Sequence, residues 1–299
     1  MKDVTEKLQA NKKQTFLTDI ILLIKFKVMI ANVLPIIAGL WLVMQFEDIP
    51  LSGNWGVVLL TISGSTLVII GALVINNWYD TDIDTVMDRT KSRPTVTGNI
   101  PLTTVLFIGW GVSILGFILL FFTNWEVMIY SFLGWFIYVF PYTMWTKRKF
   151  TWNTIVGSIS GAVTPLIGWT VFATGWHIVP ITYALILFFW QMPHTYVIAI
   201  RKFKEYKAAG VAMLPVVKGM QVTKRMMLIY CLCLLPLPFM LHSLGSFYVA
   251  VVTILTIIWV ILIIRGFFVK DDLKWAQQNF LFSVNYLMIV FLLAMIVTI

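Results

Sequence analysis

The chain has 299 residues, 60% of them hydrophobic and only 12% charged, with a mean hydropathy of +0.89. That composition excludes a soluble globular domain and a disordered chain, and it identifies a polytopic membrane protein. A net charge of +9 invites a nucleic-acid reading, but the charges are sorted along the chain in a way that membrane topology explains better.

Residues 1–27 carry Lys2, Lys7, Lys12 and Lys13 and lack the short apolar core and cleavage site of a secretory signal. They are expected to form an uncleaved cytoplasmic arm whose last part, from Phe16 to Lys27, lies in the membrane interface. Residues 28–299 are expected to form a single transmembrane domain. Apolar runs predict nine spans, near 28–46, 56–78, 102–122, 126–145, 154–173, 178–200, 226–244, 247–268 and 276–298. Pro35, Gly64, Gly71, Gly157, Gly161 and Pro165 fall inside spans, where close helix packing tolerates them. Cys231 and Cys233 sit in an apolar run with one residue between them, face different ways on a helix, and read as packing.

With the N-terminus inside, the segments 1–27, 79–101, 146–153, 201–225 and 269–275 hold all 22 Lys and Arg except Arg265. The outer loops hold Glu47 and Asp48, with Glu126 nearby, and no Lys or Arg. This positive-inside bias predicts a cytoplasmic N-terminus and an external C-terminus. It also gathers three polar clusters on the cytoplasmic side.

The first cluster, NNWYDTDIDTVMDRTKSRP, runs from Asn76 to Pro94 and follows the second span. Asn76, Asp80, Asp84 and Asp88 recur at intervals of four, so on a helix they share one face with a drift of roughly 40° per step. Carboxylates with one amide suit a hard cation, and Mg²⁺ completes its shell with water and substrate phosphate. Arg89, Lys91 and Arg93 follow at once as phosphate partners; the competing reading is a solvated loop between spans. The second cluster, Tyr142 to Asn153, packs Lys147, Arg148 and Lys149 into a short connection that either binds anions or anchors the topology. In the third, Trp190 to Gly219, Gln191 and His194 approach the inner end of a span that opens into Arg201, Lys202, Lys204, Glu205 and Tyr206. Both Gln191 and His194 fit substrate contact, and both fit plain hydrogen bonding between helices. A divalent-metal site ringed by cations above an apolar bundle suits a diphosphate with a lipid tail.

At these clusters the sequence resembles the intramembrane aromatic prenyltransferases of the UbiA type, and within them the haem-directed branch. The similarity spans nearly the whole chain. It rests on NNWYDTDID…M.RT..RP at 76–94, YT.W.KR at 142–148 with N..G…GA..P.IGW at 153–169, and WQ.PH at 190–194 with LPV..G at 214–219. The first motif is shared in weaker form across the superfamily, and the other two are specific to the haem branch. Quinone-pathway relatives carry a second acidic DxxxD pair, where this chain has Lys202 and Tyr206 in its place. Thr195 stands where an aromatic residue is expected, and Lys25-Phe26-Lys27 where a Lys-Pro pair is expected.

The resemblance implies nine helices around a central cavity that opens sideways to lipid. It implies that farnesyl diphosphate and haem B react to give haem O and diphosphate, with Mg²⁺ as cofactor, in the plasma membrane. The product would serve terminal oxidases, with haem A synthase or oxidase assembly as possible partners. Asp80 and Asp84 with Asn76 are then the expected metal ligands, with Asp88 in support. Arg89, Arg93, Lys147, Arg148 and Lys202 are the candidates to neutralise the leaving group, with Asp80, Asp84 and Lys202 expected to carry catalysis. Tyr79, Trp145, Trp190 and Tyr206 are candidates to face the allylic cation. His194 is expected to ligate or orient the haem, with Gln191 beside it, whereas His177 and His242 fall on the outer side. Two alternatives stay open: a prenyltransferase acting on a quinone-precursor ring, and a transporter using the charges as an ion path.

Overall fold

The computed structural model describes residues 15–299; the arm expected over 1–27 therefore lies outside the described residues up to position 14. Among the described residues, eight helices are long and apolar enough to cross a membrane. Their outward faces expose large apolar side chains, among them Phe107 at 79% and Phe121 at 71%. In lipid such faces need no cover, so the helices are held together by small-residue contacts and polar bonds.

Helix α1 (Phe16–Leu23) starts at Thr15, whose hydroxyl accepts from the Thr18 amide at 3.3 Å. Phe16, Leu17 and Ile21 stay exposed while Leu23 is buried against Val74 and Val105. After a turn at Lys25 comes α2 (Phe26–Phe46), then α3 (Trp55–Tyr79). Short helices α4 (Thr81–Val86) and α5 (Pro94–Thr97) carry the acidic cluster and its basic tail. Helix α6 (Leu102–Phe121) lies against α3 with glycine facing glycine: a methyl group at Gly71 would stand 2.7 Å from the Gly109 carbonyl oxygen. Hence the two backbones approach closely, as small residues permit.

Helix α7 (Trp125–Lys149) is π-helical from Tyr138 to Thr146. Pro141 lies in that stretch; it has no N–H to donate and its ring crowds the preceding turn, so the bonding slips to the next carbonyl. The Lys147 amide donates to the Tyr142 carbonyl five residues back. That wider turn brings Lys147 and Tyr142 to one side, with the ammonium 6.0 Å from the ring centre.

The fifth expected span is not one continuous helix. It is two short helices, α8 (Asn153–Ala162) and α9 (Thr164–Trp169), broken at Val163. Pro165 sits at the start of α9, where its missing N–H costs nothing but ends the run before it. Both pieces are still held inside the bundle. Gly168 abuts the Ile36 carbonyl of α2 so closely that a side chain would run into it.

Helix α10 (Ile178–Arg201) is the hub. It packs on α8, on α12 (Leu214–Met240) and on α14 (Asp272–Val297), while α13 (Ser246–Arg265) packs on α12 and α14. The Tyr183 and Tyr248 hydroxyls meet at 2.8 Å, and Trp41 Nε1 of α2 donates to Thr298 Oγ1 at 3.1 Å. A short α11 (Phe203–Ala208) follows α10, and α12 is bent at Gly219, where φ is 82°.

One buried charge outside the acidic cluster fastens α12 to α14. The Lys224 side chain is 3% exposed, donates to the Gly266 carbonyl at 2.7 Å and to Asp272 Oδ1 at 2.5 Å, and lies over Trp275. Removing the carboxylate strands a buried ammonium, whereas removing the ammonium leaves a carboxylate that is 31% exposed. We expect Asp272→Ala to destabilise by about 3 kcal/mol and Lys224→Met by clearly less. Thermal unfolding in detergent measures both, and a larger loss for Lys224→Met would contradict this assignment.

Candidate active site

The last turn of α3 delivers Asn76, and the chain continues helically enough that the Asp80 amide donates to the Asn76 carbonyl and the Asp84 amide to the Asp80 carbonyl, both at 2.9 Å. Asn76, Asp80 and Asp84 are 2%, 1% and 4% exposed. Burial of this order is costly for carboxylates, so each must have partners. Asn76 Nδ2 donates to Asp80 Oδ2 at 2.8 Å and to Thr143 Oγ1 at 3.0 Å. Lys147 pairs with Asp80 Oδ2, Arg93 with Asp84 Oδ2, and Lys25 Nζ with Asn76 Oδ1.

The four-residue register ends at Asp84. Helix α4 stops at Val86 and Met87 is extended, which swings Asp88 outward to pair with Lys91 at 2.7 Å with its side chain 76% exposed. Arg89 is exposed as well. Asp82 points the other way and takes both Arg148 nitrogens, at 2.6 and 2.7 Å. The guanidinium beside Asp82 holds its carboxyl below the ordinary carboxylate range. Arg148 also covers the Tyr79 ring at 4.8 Å and reaches within 3.8 Å of Asp80 Oδ1.

The second and third clusters close around the first. Asn153 Nδ2 donates to the Phe150 carbonyl at 2.7 Å and the Ala212 carbonyl at 3.1 Å, which ties the α7–α8 connection to the segment before α12. Tyr206 packs on a core of Ile83, Met87, Ala199, Val211 and Met213, so the third cluster sits directly on the acidic motif. Lys202 pairs with Glu205 at 2.6 Å and has no bond to Asp80 or Asp84.

Gln191 and His194 contact different neighbours. Gln191 lies against Gly161 of α8, with Oε1 buried and without a hydrogen-bond partner. His194 turns to α14: Nδ1 meets Ser283 Oγ at 2.8 Å, and the ring stacks between Trp190 at 4.4 Å and Phe280 at 5.4 Å. Trp190 Nε1 donates to the Ser283 carbonyl at 2.8 Å.

A family model described as the UbiA prenyltransferase family matches residues 32–285. The chain belongs to the UbiA prenyltransferase family. Similar relatives include the protoheme IX farnesyltransferase of Oceanobacillus iheyensis, 47% identical over 96% of this chain and 93% of the relative. Another is protoheme IX farnesyltransferase 2 of Bacillus subtilis, 46% identical over 94% of this chain and 92% of the relative. The fold is similar to a solved digeranylgeranylglyceryl phosphate synthase, with TM-score 0.72 and 21% identity over 94% of this chain and 98% of that one. It is also similar to a UbiA homolog from Archaeoglobus fulgidus bound to GPP and Mg²⁺, with TM-score 0.67 and 15% identity over 93% and 99% of the two chains. Family membership removes the transporter reading.

In this UbiA-family chain the donor set suits Mg²⁺. Two carboxylates and one amide oxygen leave room for phosphate and water, as that ion prefers. Asp80 Oδ1 is buried and accepts no hydrogen bond, an expensive state for a carboxylate oxygen unless a ligand completes it. Among the described residues no group of three or more His, Cys, Asp or Glu gathers to hold a metal, here or elsewhere; this donor set has two carboxylates and is completed by the Asn76 amide. The two grooves that show most clearly lie apart from this cluster: one of about 510 Å³ is lined by Phe239, His242 and Ser246, the other of about 330 Å³ by Phe117, Phe121 and Met128.

The sequence reading passed over three residues. Thr143 accepts from Asn76, and Asn77 Nδ2 donates to the Leu23 carbonyl at 2.6 Å. Lys25 reaches the same amide from the far side of the α1–α2 turn, 51 residues away in sequence. Its signal was the Lys25-Phe26-Lys27 stretch before the first long span, which looks the same as topological anchoring.

Proposed function

We propose that the chain transfers the farnesyl group of farnesyl diphosphate to a vinyl group of haem B, giving haem O. The observation that carries this reading is identity of 47% to a protoheme IX farnesyltransferase over 96% of the chain. The cation-filled acidic site supports it, because a diphosphate leaving group is what such a site is suited to stabilise.

The allylic C–O bond breaks and its electron pair leaves with diphosphate. The terminal vinyl carbon supplies its π electrons to the farnesyl carbon, and the new carbon–carbon bond leaves positive charge on the carbon next to the porphyrin. Water adds there and releases a proton, which makes the hydroxyethylfarnesyl group. Lys147, Arg93 and Arg148 already converge on Asp80, Asp84 and Asp82, so they stand where negative charge grows as the bond breaks. Asp80, Asp84 and Asn76 would hold Mg²⁺, which neutralises charge on the departing diphosphate when bound. Tyr142, beside Lys147, and Tyr206, over α4, offer ring faces to the farnesyl cation and keep early water out.

Purified protein given haem B, farnesyl diphosphate and Mg²⁺ should yield haem heavier by one farnesyl group and one hydroxyl group, and none when any one is omitted. Prenylation of a quinone-precursor ring with haem B left unchanged would establish the alternative acceptor.

The charge bias supports a site that faces the cytoplasm in the plasma membrane, with haem O passing to terminal oxidases directly or as haem A. Cysteines replacing Lys204 and Ser246, both exposed, should react with impermeant reagents from the inside and the outside respectively. Reaction of position 204 from outside would reverse the topology.

A further inference from the structure

We infer that Lys25 is a diphosphate-binding residue that, before ligands arrive, occupies the amide oxygen a metal would use, so that metal and diphosphate bind as a pair. The inference rests on the reading of the acidic cluster as a prenyl diphosphate site.

Lys25 has a left-handed backbone, φ 49° and ψ 54°, a region that residues other than glycine rarely occupy. Such a conformation persists only where the surroundings enforce it. Here Asn77, buried in α3, donates to the Leu23 carbonyl at 2.6 Å and fixes the end of α1. On the other side α2 begins at once, with the Val28 amide on the Lys25 carbonyl at 2.7 Å. Two neighbouring asparagines therefore act on one lysine: Asn77 sets the turn, and Asn76 receives the side chain.

The hydrogen bonds of Asn76 decide what Lys25 blocks. An amide has two N–H donors and one oxygen. Both donors are used, toward Asp80 Oδ2 and Thr143 Oγ1. Only Oδ1 can ligate a cation, and Lys25 holds it. Lys147 and Arg93 hold Asp80 and Asp84 in the same way. Lys25, Lys147 and Arg93 against Asp80 and Asp84, with the Arg148–Asp82 pair adding no net charge, leave the unliganded site with one excess positive charge.

A divalent cation entering alone meets that excess and finds the amide oxygen taken and one oxygen of each carboxylate paired, with Asp80 Oδ1 left open. A diphosphate entering alone meets two carboxylates. Together they carry a small net negative charge that the site's excess positive charge offsets, and Lys25 can leave the amide oxygen for a phosphate oxygen. Each ligand then improves the affinity of the other, and by linkage the factor is the same in both directions.

The test is calorimetric titration of the detergent-solubilised full chain with Mg²⁺ alone, with inorganic diphosphate alone, and with each in the presence of the other. The variants are Lys25→Gly, which relieves the left-handed backbone and so keeps the fold, Lys25→Met, and Lys27→Met at a neighbouring exposed site. The unaltered chain and Lys27→Met should bind each ligand at least about tenfold more tightly when the other is present. Both Lys25 variants should bind Mg²⁺ alone more tightly, bind diphosphate with Mg²⁺ about tenfold more weakly, and lose most of the coupling. Lys25 variants that match Lys27→Met would overturn the inference while leaving the site reading intact. If the unaltered chain binds no diphosphate even with Mg²⁺, the site reading fails and the inference with it.

Discussion

Asp80→Asn and Asp84→Asn should each lower turnover at least about a hundredfold, the scale on which losing one charge-stabilising group acts. Asp82→Asn should cost far less. Asp80 and Asp84 are nearly inaccessible and each pairs with a basic side chain, so replacing either one removes a proposed metal ligand and frees Lys147 or Arg93 to drift. Asp82 is 65% exposed and answers only to Arg148, where a surface pair contributes little. Asparagine keeps the volume of aspartate, so each variant should still fold; the melting temperature in detergent checks this on the samples used for turnover. Equal losses at Asp82 and Asp84 would mean that the buried acids are not the site.

That contrast was legible in the sequence because helix periodicity alone separates position 82 from 80 and 84. The same periodicity misjudged Asp88, since it cannot say where a helix ends. Here α4 stops at Val86 and the extended Met87 carries Asp88 to the surface. Span positions were legible for the same kind of reason: an apolar run of bilayer length has few alternatives. The fifth run was the exception. Hydropathy registers the apolar residues around Pro165 but not that the chain breaks at Val163 and that the second piece wedges Gly168 against α2. The π-helical stretch of α7 is likewise invisible to a 3.6-residue period, yet it brings Lys147 beside Tyr142. Lys25 was hidden for a different reason. Its charge was already explained by topology, and its contact depends on a left-handed turn that no local propensity favours at a lysine.

His194→Ala should lower haem B affinity by about a hundredfold and alter its absorption spectrum, while Mg²⁺-dependent binding of farnesyl diphosphate stays near that of the unaltered chain; Ser283→Ala should weaken haem binding about tenfold, as loss of a ligand's hydrogen-bond partner does. One proton separates the two roles of His194. Ser283 Oγ has one hydrogen and two neighbours at 2.8 Å, the Phe280 carbonyl and His194 Nδ1; directed to the carbonyl, which can only accept, that hydrogen leaves the serine oxygen to accept from His194. In that arrangement His194 Nδ1 carries the hydrogen in their 2.8 Å bond. In a neutral imidazole this leaves the Nε2 lone pair bare, and Nε2 has no hydrogen-bond partner among the described residues. The stack of Trp190 and Phe280 fixes the ring plane. A histidine kept only to join two helices would need the Nδ1 bond and nothing else. One kept to meet an iron needs its tautomer set and its other nitrogen free, and Ser283 provides the first. Soret titration for haem and a labelled-ligand assay for farnesyl diphosphate, on the same preparations, separate the two roles. If His194→Ala leaves the Soret band and the affinity unchanged but lowers the melting temperature, the residue joins α10 to α14, and the haem iron must meet another group.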